Sequence, residues 1–150
     1  MVGAFAPYKR VDLAIQAMNQ LRLPLWIVGT GQERERLEHL AGPTIKFLGA
    51  CTDEEVAGLY SRCRAFLFPG VEDFGITPLE AMASGAPVVA FASGGALETV
   101  TRDTGAFFDA QTVESLVAAI SQVESKEFQF RSSERELLCR ERAQRFERGS

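Results

Sequence analysis

Between Val71 and Gly85 the chain reads VEDFGITPLEAMASG. Two carboxylates, Glu72 and Glu80, stand with seven residues between them, and Asp73-Phe74-Gly75-Ile76 leads from the first into a helix-like run. Gly75 removes a side chain where backbone must come close to a ligand. The amides of Ile76, Thr77 and Leu79 then point out of the helix start; Pro78 has none. A helix N-terminus carries about half a positive charge and binds phosphate without a metal. Glu72, on the preceding acidic loop, is placed to accept hydrogen bonds from hydroxyl groups. The combination suits an anionic ligand that also carries hydroxyls. A plainer reading stands beside it. Thr77, Pro78 and Glu80 fit a capping box with proline at the first helical position, and Glu72 fits a solvated loop acid.

Pro7-Tyr8-Lys9-Arg10 offers two cations at a second strand-to-helix turn. Cations at a helix N-terminus oppose the dipole, so an anion nearby would explain them; Lys9 and Arg10 could neutralise a diphosphate. Gly29-Thr30-Gly31 is only a Gly-x-Gly. The full dinucleotide fingerprint needs glycine at 34, where Arg34 stands, and this argues against a standard NAD site. His39 sits alone on a charged helix and reads as a surface residue. The acidic residues show no metal-ligand spacing. Cys51, Cys63 and Cys139 lack any Cys-x-x-Cys spacing and read as reduced, mostly buried thiols of a cytosolic protein.

The elements that must hold these residues alternate. Strand-like apolar runs occur at Val2–Phe5, Leu25–Val28, Ile45–Leu48, Ala65–Phe68, Val88–Phe91 and Ala106–Phe108. Helical patterns occur at Arg10–Leu21, Gln32–Ala41 (with Leu37, Leu40 and Ala41 inward), Thr52–Arg62, Thr77–Ala83, Thr112–Glu124 and Ser133–Arg148. Thr52 with Glu55, and Ser133 with Glu136, are further capping-box pairs. The strands are near-continuous hydrophobic runs, as a parallel sheet covered on both faces requires. Phe66, Phe68, Phe107 and Phe108 read as core. The expected fold is α/β, a Rossmann-like doubly wound parallel sheet. Ligands of such sheets bind at the C-terminal ends of the strands, so the loops to inspect are Ala6–Lys9, Gly29–Gly31, Gly49–Cys51, Pro69–Ile76 and Ser93–Gly95.

At 150 residues the chain fits one domain with a real core. Its net charge of -4 does not favour nucleic acid. Residues 126–150 carry a small basic excess in a mixed-sign run. No apolar run reaches the ~20 residues of a membrane span. The chain opens with Met1-Val2-Gly3, inside a strand pattern, which reads as a piece of something larger.

Taken together, EDFGITPLEAMASGAPVVA with Glu72-x7-Glu80, then GGALETV (Gly94–Val100), resembles the nucleotide-sugar-binding half of retaining glycosyltransferase family 4, which has the GT-B fold. PYKRVDLAIQA (Pro7–Ala17), VGTGQERERL (Val28–Leu37) and FLG (Phe47–Gly49) follow that family's order and spacing, and the resemblance covers residues 1–124. The version here looks similar to bacterial mannosyltransferase-like members that build cell-surface polysaccharides.

The resemblance implies roles. Glu72 would be the catalytic residue, touching the donor sugar near the reacting carbon. Phe74, Gly75 and Ile76 would offer backbone amides to the sugar and diphosphate. Thr77 would face the phosphates, Glu80 would bond the ribose hydroxyls, and Lys9 would neutralise the diphosphate. Phe47–Gly49 would lie near the base. Family members often carry arginine where Ala4 stands, so one cation is missing unless Arg10 substitutes.

The resemblance further implies a domain of residues 1–125 closed by a C-terminal helix within 126–150, with the N-terminal acceptor domain absent. The implied activity is transfer of a hexose from a GDP-, UDP- or ADP-sugar to a glycan or lipid-linked acceptor, without cofactor or metal. GDP-mannose is the expected donor. The fragment alone is expected to be inactive. A cytoplasmic location, peripheral to the inner membrane through the missing domain, is expected, as is dimerisation through the exposed domain interface. The competing readings are a stand-alone nucleotide-sugar-binding module, a GT-B-like epimerase or phosphorylase relative, and a generic flavodoxin-like domain.

Overall fold

The computed structural model describes residues 1, 5, 9–71, 76–92, 100, 105–124, 139 and 140, with backbone alone for 76–78 and 124. Helices and strands alternate: α1 Val11–Leu21, β1 Leu25–Val28, α2 Arg34–Leu40, β2 Ile45–Gly49, α3 Asp53–Arg62, β3 Phe66–Phe68, α4 Ile76–Ala83, β4 Val88–Phe91, β5 Gly105–Phe108 and α5 Val113–Glu124. All described strand pairs are parallel. β1 pairs with β2, and β3, β4 and β5 pair in that order. Met1 and Phe5 bond to the edge of β1 opposite β2: Val28 N–H donates to the Met1 carbonyl at 2.9 Å, and Phe5 N–H to that of Thr30 at 3.1 Å. Most of the expected first strand, Val2–Phe5, and of the helix 133–148 lies outside the described residues; Cys139 and Arg140 are helical.

Strand side chains alternate between two buried layers. Leu25, Ile27, Leu67, Val89 and Phe108 join Leu13, Ile15, Leu37 and Leu116 from α1, α2 and α5. Phe66, Phe68, Val88 and Ala90 face the other way, onto Tyr60 of α3, Ala81 and Met82 of α4, and Cys139. Burial on both faces is why these strands read as unbroken apolar runs. Each fully buried side chain of this size contributes ~1.5–3 kcal/mol. The doubly wound expectation is met. Phe66, Phe68 and Phe108 are core as expected, and Phe107 is partly buried.

Local chemistry accounts for the helix ends. The expected capping box at Thr52 forms: Glu55 N–H donates to Thr52 Oγ1 at 3.2 Å and Thr52 N–H to Glu55 Oε1 at 3.1 Å. At α4, Gly85 adopts φ 86°, Gly85 N–H bonds Met82 and Ala86 N–H bonds Ala81, each at 2.9 Å. This is a Schellman closure with glycine at its left-handed position. α1 ends the same way, with Arg22 N–H on Asn19 and Leu23 N–H on Met18, but there the left-handed residue is Arg22 at φ 55°.

Four sequence expectations need correction. α4 includes Ile76, so Thr77 lies inside the helix rather than before it; its side chain, on which the expected capping box turns, lies outside the described residues. Pro78 is tolerated at the third helical position because the first four N–H groups of a helix have no intrahelical acceptor. Leu40 is 37% exposed, since α2 unwinds at Ala41 before another turn can cover it. Arg10 is left-handed at φ 53° and precedes α1, whose first helical residue is Val11. Of the three thiols only Cys139 is buried; Cys51 and Cys63 are half-buried.

No described helix is long and apolar enough to cross a membrane.

Candidate functional site

Parallel α/β order places the start of every helix at the C-terminal edge of the sheet. Lys9 and Arg10 stand there, before α1. Lys9 lies in a 3-10 turn and is half-buried; desolvation pulls its ammonium below the ordinary lysine range. Arg10 Nε lies 3.3 Å from Asp12 Oδ1. Asp12 in the first turn of α1 is therefore a local anion for Arg10. The Arg10 carbonyl accepts from Leu13 and Ala14, so its left-handed backbone is what launches the helix. That conformation costs a non-glycine residue ~1–2 kcal/mol.

At the end of β1, Gly29 N–H donates to the Gly49 carbonyl at 2.8 Å, tying the ends of β1 and β2 together. Both glycines have positive φ, 134° and 72°. A Cβ on Gly31 would come within 2.9 Å of Phe5, so the Gly-x-Gly serves tight packing of strand ends. Arg34 pairs with Glu38 at 2.7 Å and extends toward Gly49 at the tip of β2. His39 is exposed, as read from sequence.

β3 ends at Phe68, and Pro69 and Gly70 continue it as buried backbone. α4 then opens at Ile76, an eight-residue helix whose N-terminus lies at the same edge as Lys9. Glu72, Phe74 and Gly75 lie outside the described residues, as do Ala4 and Ser93–Gly95. Ile76 and Thr77 are in the first turn of α4, so their amides are among those left free by helix geometry. Glu80 is exposed on the second turn. Burial pushes the Tyr60 phenol of α3 above its ordinary range, and the charges of Glu80 and Cys63 add to the push. Glu80 thus lies beside the α3–α4 layer with its carboxylate open to solvent.

A cavity of about 360 Å³ opens elsewhere. Met18, Leu25, Leu59, Phe66, Val89 and Ile120 line it together with exposed Trp26, whose ring centre lies 5.3 Å from Lys46 Nζ. This is the N-terminal edge of the sheet, away from the strand ends where such folds bind ligands. The C-terminal edge, with its helix start and half-buried cation, is the better candidate for an anion.

Sequence reasoning passed over two residues here. The loop after β5 was absent from the strand-end loops it named, yet Gln111 in that loop donates to the Pro69 carbonyl at 3.0 Å. Gly105 was left out of its strand, yet a Cβ there would sit 1.8 Å from the Val88 carbonyl oxygen. A glycine abutting a strand pattern is the available signal for such a close approach; a lone glutamine between a strand and a helix gives none.

The sequence profile of glycosyl transferases group 1 matches residues 1–146. A GDP-mannose-dependent alpha-mannosyltransferase of Mycolicibacterium smegmatis is 38% identical, with 81% of this chain and 33% of that protein aligned. A GDP-mannose-dependent monoacylated alpha-(1-6)-phosphatidylinositol monomannoside mannosyltransferase of Corynebacterium glutamicum is 36% identical, with 73% and 33% aligned. Among solved structures, sucrose-phosphate synthase from Thermosynechococcus elongatus superposes with a TM-score of 0.84 at 31% identity, over 95% of this chain and 40% of that one. HepE of Anabaena in complex with UDP superposes at 0.76 and 24% identity, over 99% and 47%, which speaks for the fold. The chain spans about a third of the length of the curated relatives it matches. It belongs to the group 1 glycosyl transferases, and its parallel α/β architecture is that of their GT-B fold.

Proposed function

From this family membership, we propose that the chain is the donor-binding domain of a retaining, nucleotide-sugar-dependent hexosyltransferase, with GDP-mannose as donor. The observation that carries the reading is the start of α4 after β3, at the strand edge that also holds half-buried Lys9. A helix N-terminus and a partly desolvated ammonium together favour a diphosphate. They also stabilise the charge that builds on it as the sugar departs, an electrostatic contribution that needs no divalent metal. Glu72 would face the sugar near the reacting carbon, with Phe74, Gly75, Ile76 and Thr77 around the sugar and phosphates. Glu80, open to solvent, would hold the ribose hydroxyls, and Arg10 would share the diphosphate with Lys9. GDP-mannose is preferred because the two mannosyltransferases above are named as dependent on it. The acceptor, a glycan or a lipid-linked glycan, would bind to a further domain, in line with the chain's span of a third of its relatives.

The test is titration calorimetry of GDP, UDP, ADP and their sugar conjugates into the chain and its Glu80→Ala variant. A charged hydrogen bond is worth ~1.5–3 kcal/mol, so the variant should bind roughly 10- to 100-fold more weakly. GDP should bind in preference to UDP and ADP, and EDTA should leave its affinity unchanged. Equal affinity of chain and variant would remove Glu80 from the site. Transfer of sugar by the 150-residue chain alone would overturn the need for a further domain.

A further inference from the structure

The loop after β5 is fastened from both sides. Thr112 N–H bonds the Ala110 carbonyl at 2.8 Å, Ala110 N–H bonds Ser115 Oγ at 3.3 Å, and Ser115 N–H bonds Thr112 Oγ1 at 3.2 Å. Gln111 lies at the centre of this knot, and its side chain leaves it altogether. Its Nε2 donates at 3.0 Å to the carbonyl of Pro69, 42 residues earlier. The strand order is β3-β4-β5, so the bond runs from the end of β5 past the end of β4 to the end of β3. At that end the Ala92 N–H already bonds the Phe108 carbonyl at 3.0 Å, extending the ladder of β4 and β5 beyond the strands themselves.

A buried backbone carbonyl needs a partner. At Pro69 that partner is a side chain from a distant loop. Pro69 is three residues before Glu72 in sequence and seven before the start of α4. The position of that carbonyl therefore sets where the segment leading to α4 leaves the sheet. We propose that Gln111 is a positioning residue for the donor site: through the Pro69 carbonyl it fixes the root of the segment that carries Glu72 and opens α4. The inference rests on the donor-site reading above. It assigns Gln111 no contact with the donor. Its effect is on geometry, and small displacements of binding groups carry large penalties in affinity and rate.

The test compares GDP binding by the unaltered chain with Gln111→Ala and Gln111→Glu, alongside amide hydrogen exchange at Gly70 and Val71 without ligand. Gln111→Ala should weaken GDP binding about 10-fold and speed exchange at both amides. Gln111→Glu keeps the shape, but an ionised carboxylate has no proton to donate. It should match the alanine variant at pH 7.5 and recover toward the unaltered chain at pH 4, below the ordinary glutamate value of ~4.3, where the protonated carboxyl can donate to the Pro69 carbonyl. The ratio of variant to unaltered affinity is read at each pH, which cancels titration of GDP itself. A lower melting temperature with unchanged affinity and no pH-dependent recovery would make Gln111 a merely structural residue and overturn the proposal. If the unaltered chain binds no nucleotide, the donor-site reading fails by itself. Exchange then decides the anchoring: acceleration in Gln111→Ala upholds it, and unchanged exchange overturns it.

Discussion

At the N-terminal edge of the sheet the side-chain amide of Asn19 makes two bonds at once. Its Nδ2 donates to the Leu40 carbonyl at 2.8 Å and its Oδ1 accepts from Gly42 N–H at 2.9 Å, so α1 holds the turn between α2 and β2 closed. At the C-terminal edge Gln111 also reaches between loops, donating to the root of the segment leading into α4. The two edges share a second device. Arg22 and Arg10 are both left-handed, at φ 55° and 53°, at opposite ends of α1. Arg22 completes a Schellman closure on its own helix. Arg10 precedes the helix and leans on Asp12 beside Lys9. Identical backbone geometry and similar amide chemistry finish the structure at one edge, while at the other they arrange groups around a place where an anion can bind.

The largest expected effect lies at the N-terminal edge. Gly105→Ala would drive a Cβ to 1.8 Å from the Val88 carbonyl oxygen, backbone against backbone. Overpacking of this kind costs about 3 kcal/mol or more. Urea denaturation should show that loss, with GDP affinity per folded molecule unchanged. A fully stable variant would mean that β4 and β5 do not meet there as described.

Asn19→Ala should cost about 2 kcal/mol by leaving the Leu40 carbonyl and Gly42 N–H without their partner, again without change in GDP affinity. Loss of affinity would break the division between a structural and a binding edge. The smallest pair of effects is the most discriminating. Glycine relieves the left-handed strain at either arginine, so Arg22→Gly and Arg10→Gly should each gain roughly 1 kcal/mol in thermal denaturation. Only Arg10→Gly should also weaken GDP binding, because of these two arginines only Arg10 stands at the C-terminal edge, where we propose that the nucleotide binds. Equal binding by both variants would remove Arg10 from the site.

Much of this architecture was legible in the sequence because burial writes a periodic signal. β1 and β4 fall where the apolar runs put them, and the Thr52–Glu55 box forms because both partners lie within one helical turn. Boundaries were less legible. Thr77-Pro78 looked like a helix start, but Ile76 is already helical, and proline is tolerated at the third position because the N–H it lacks would have no intrahelical acceptor there. Leu40 kept the helical period one residue beyond the turn that could have buried it. Residues that act across the fold left no local mark. Asn19 reads as an ordinary polar position on α1, and Gln111 as loop filler, because the partners lie 21 to 42 residues away. For the site itself, the charge pattern gave Lys9 and Arg10 and the family motif gave Lys9, Ile76, Thr77 and Glu80; Lys9 and Arg10 precede α1, and the other three lie in the first two turns of α4, while Glu72, Phe74 and Gly75 lie outside the described residues.

The most direct test of the contrast between edges is amide chemical-shift mapping of the chain on addition of GDP. The account predicts shifts at Lys9, Gly29, Gly49, Ile76, Thr77, Leu79 and Glu80, with none at Leu23, Leu25 and Trp26 around the N-terminal cavity. Shifts gathered at Leu23, Leu25 and Trp26, with Lys9 and the start of α4 unmoved, would contradict it and move the nucleotide to the other end of the sheet.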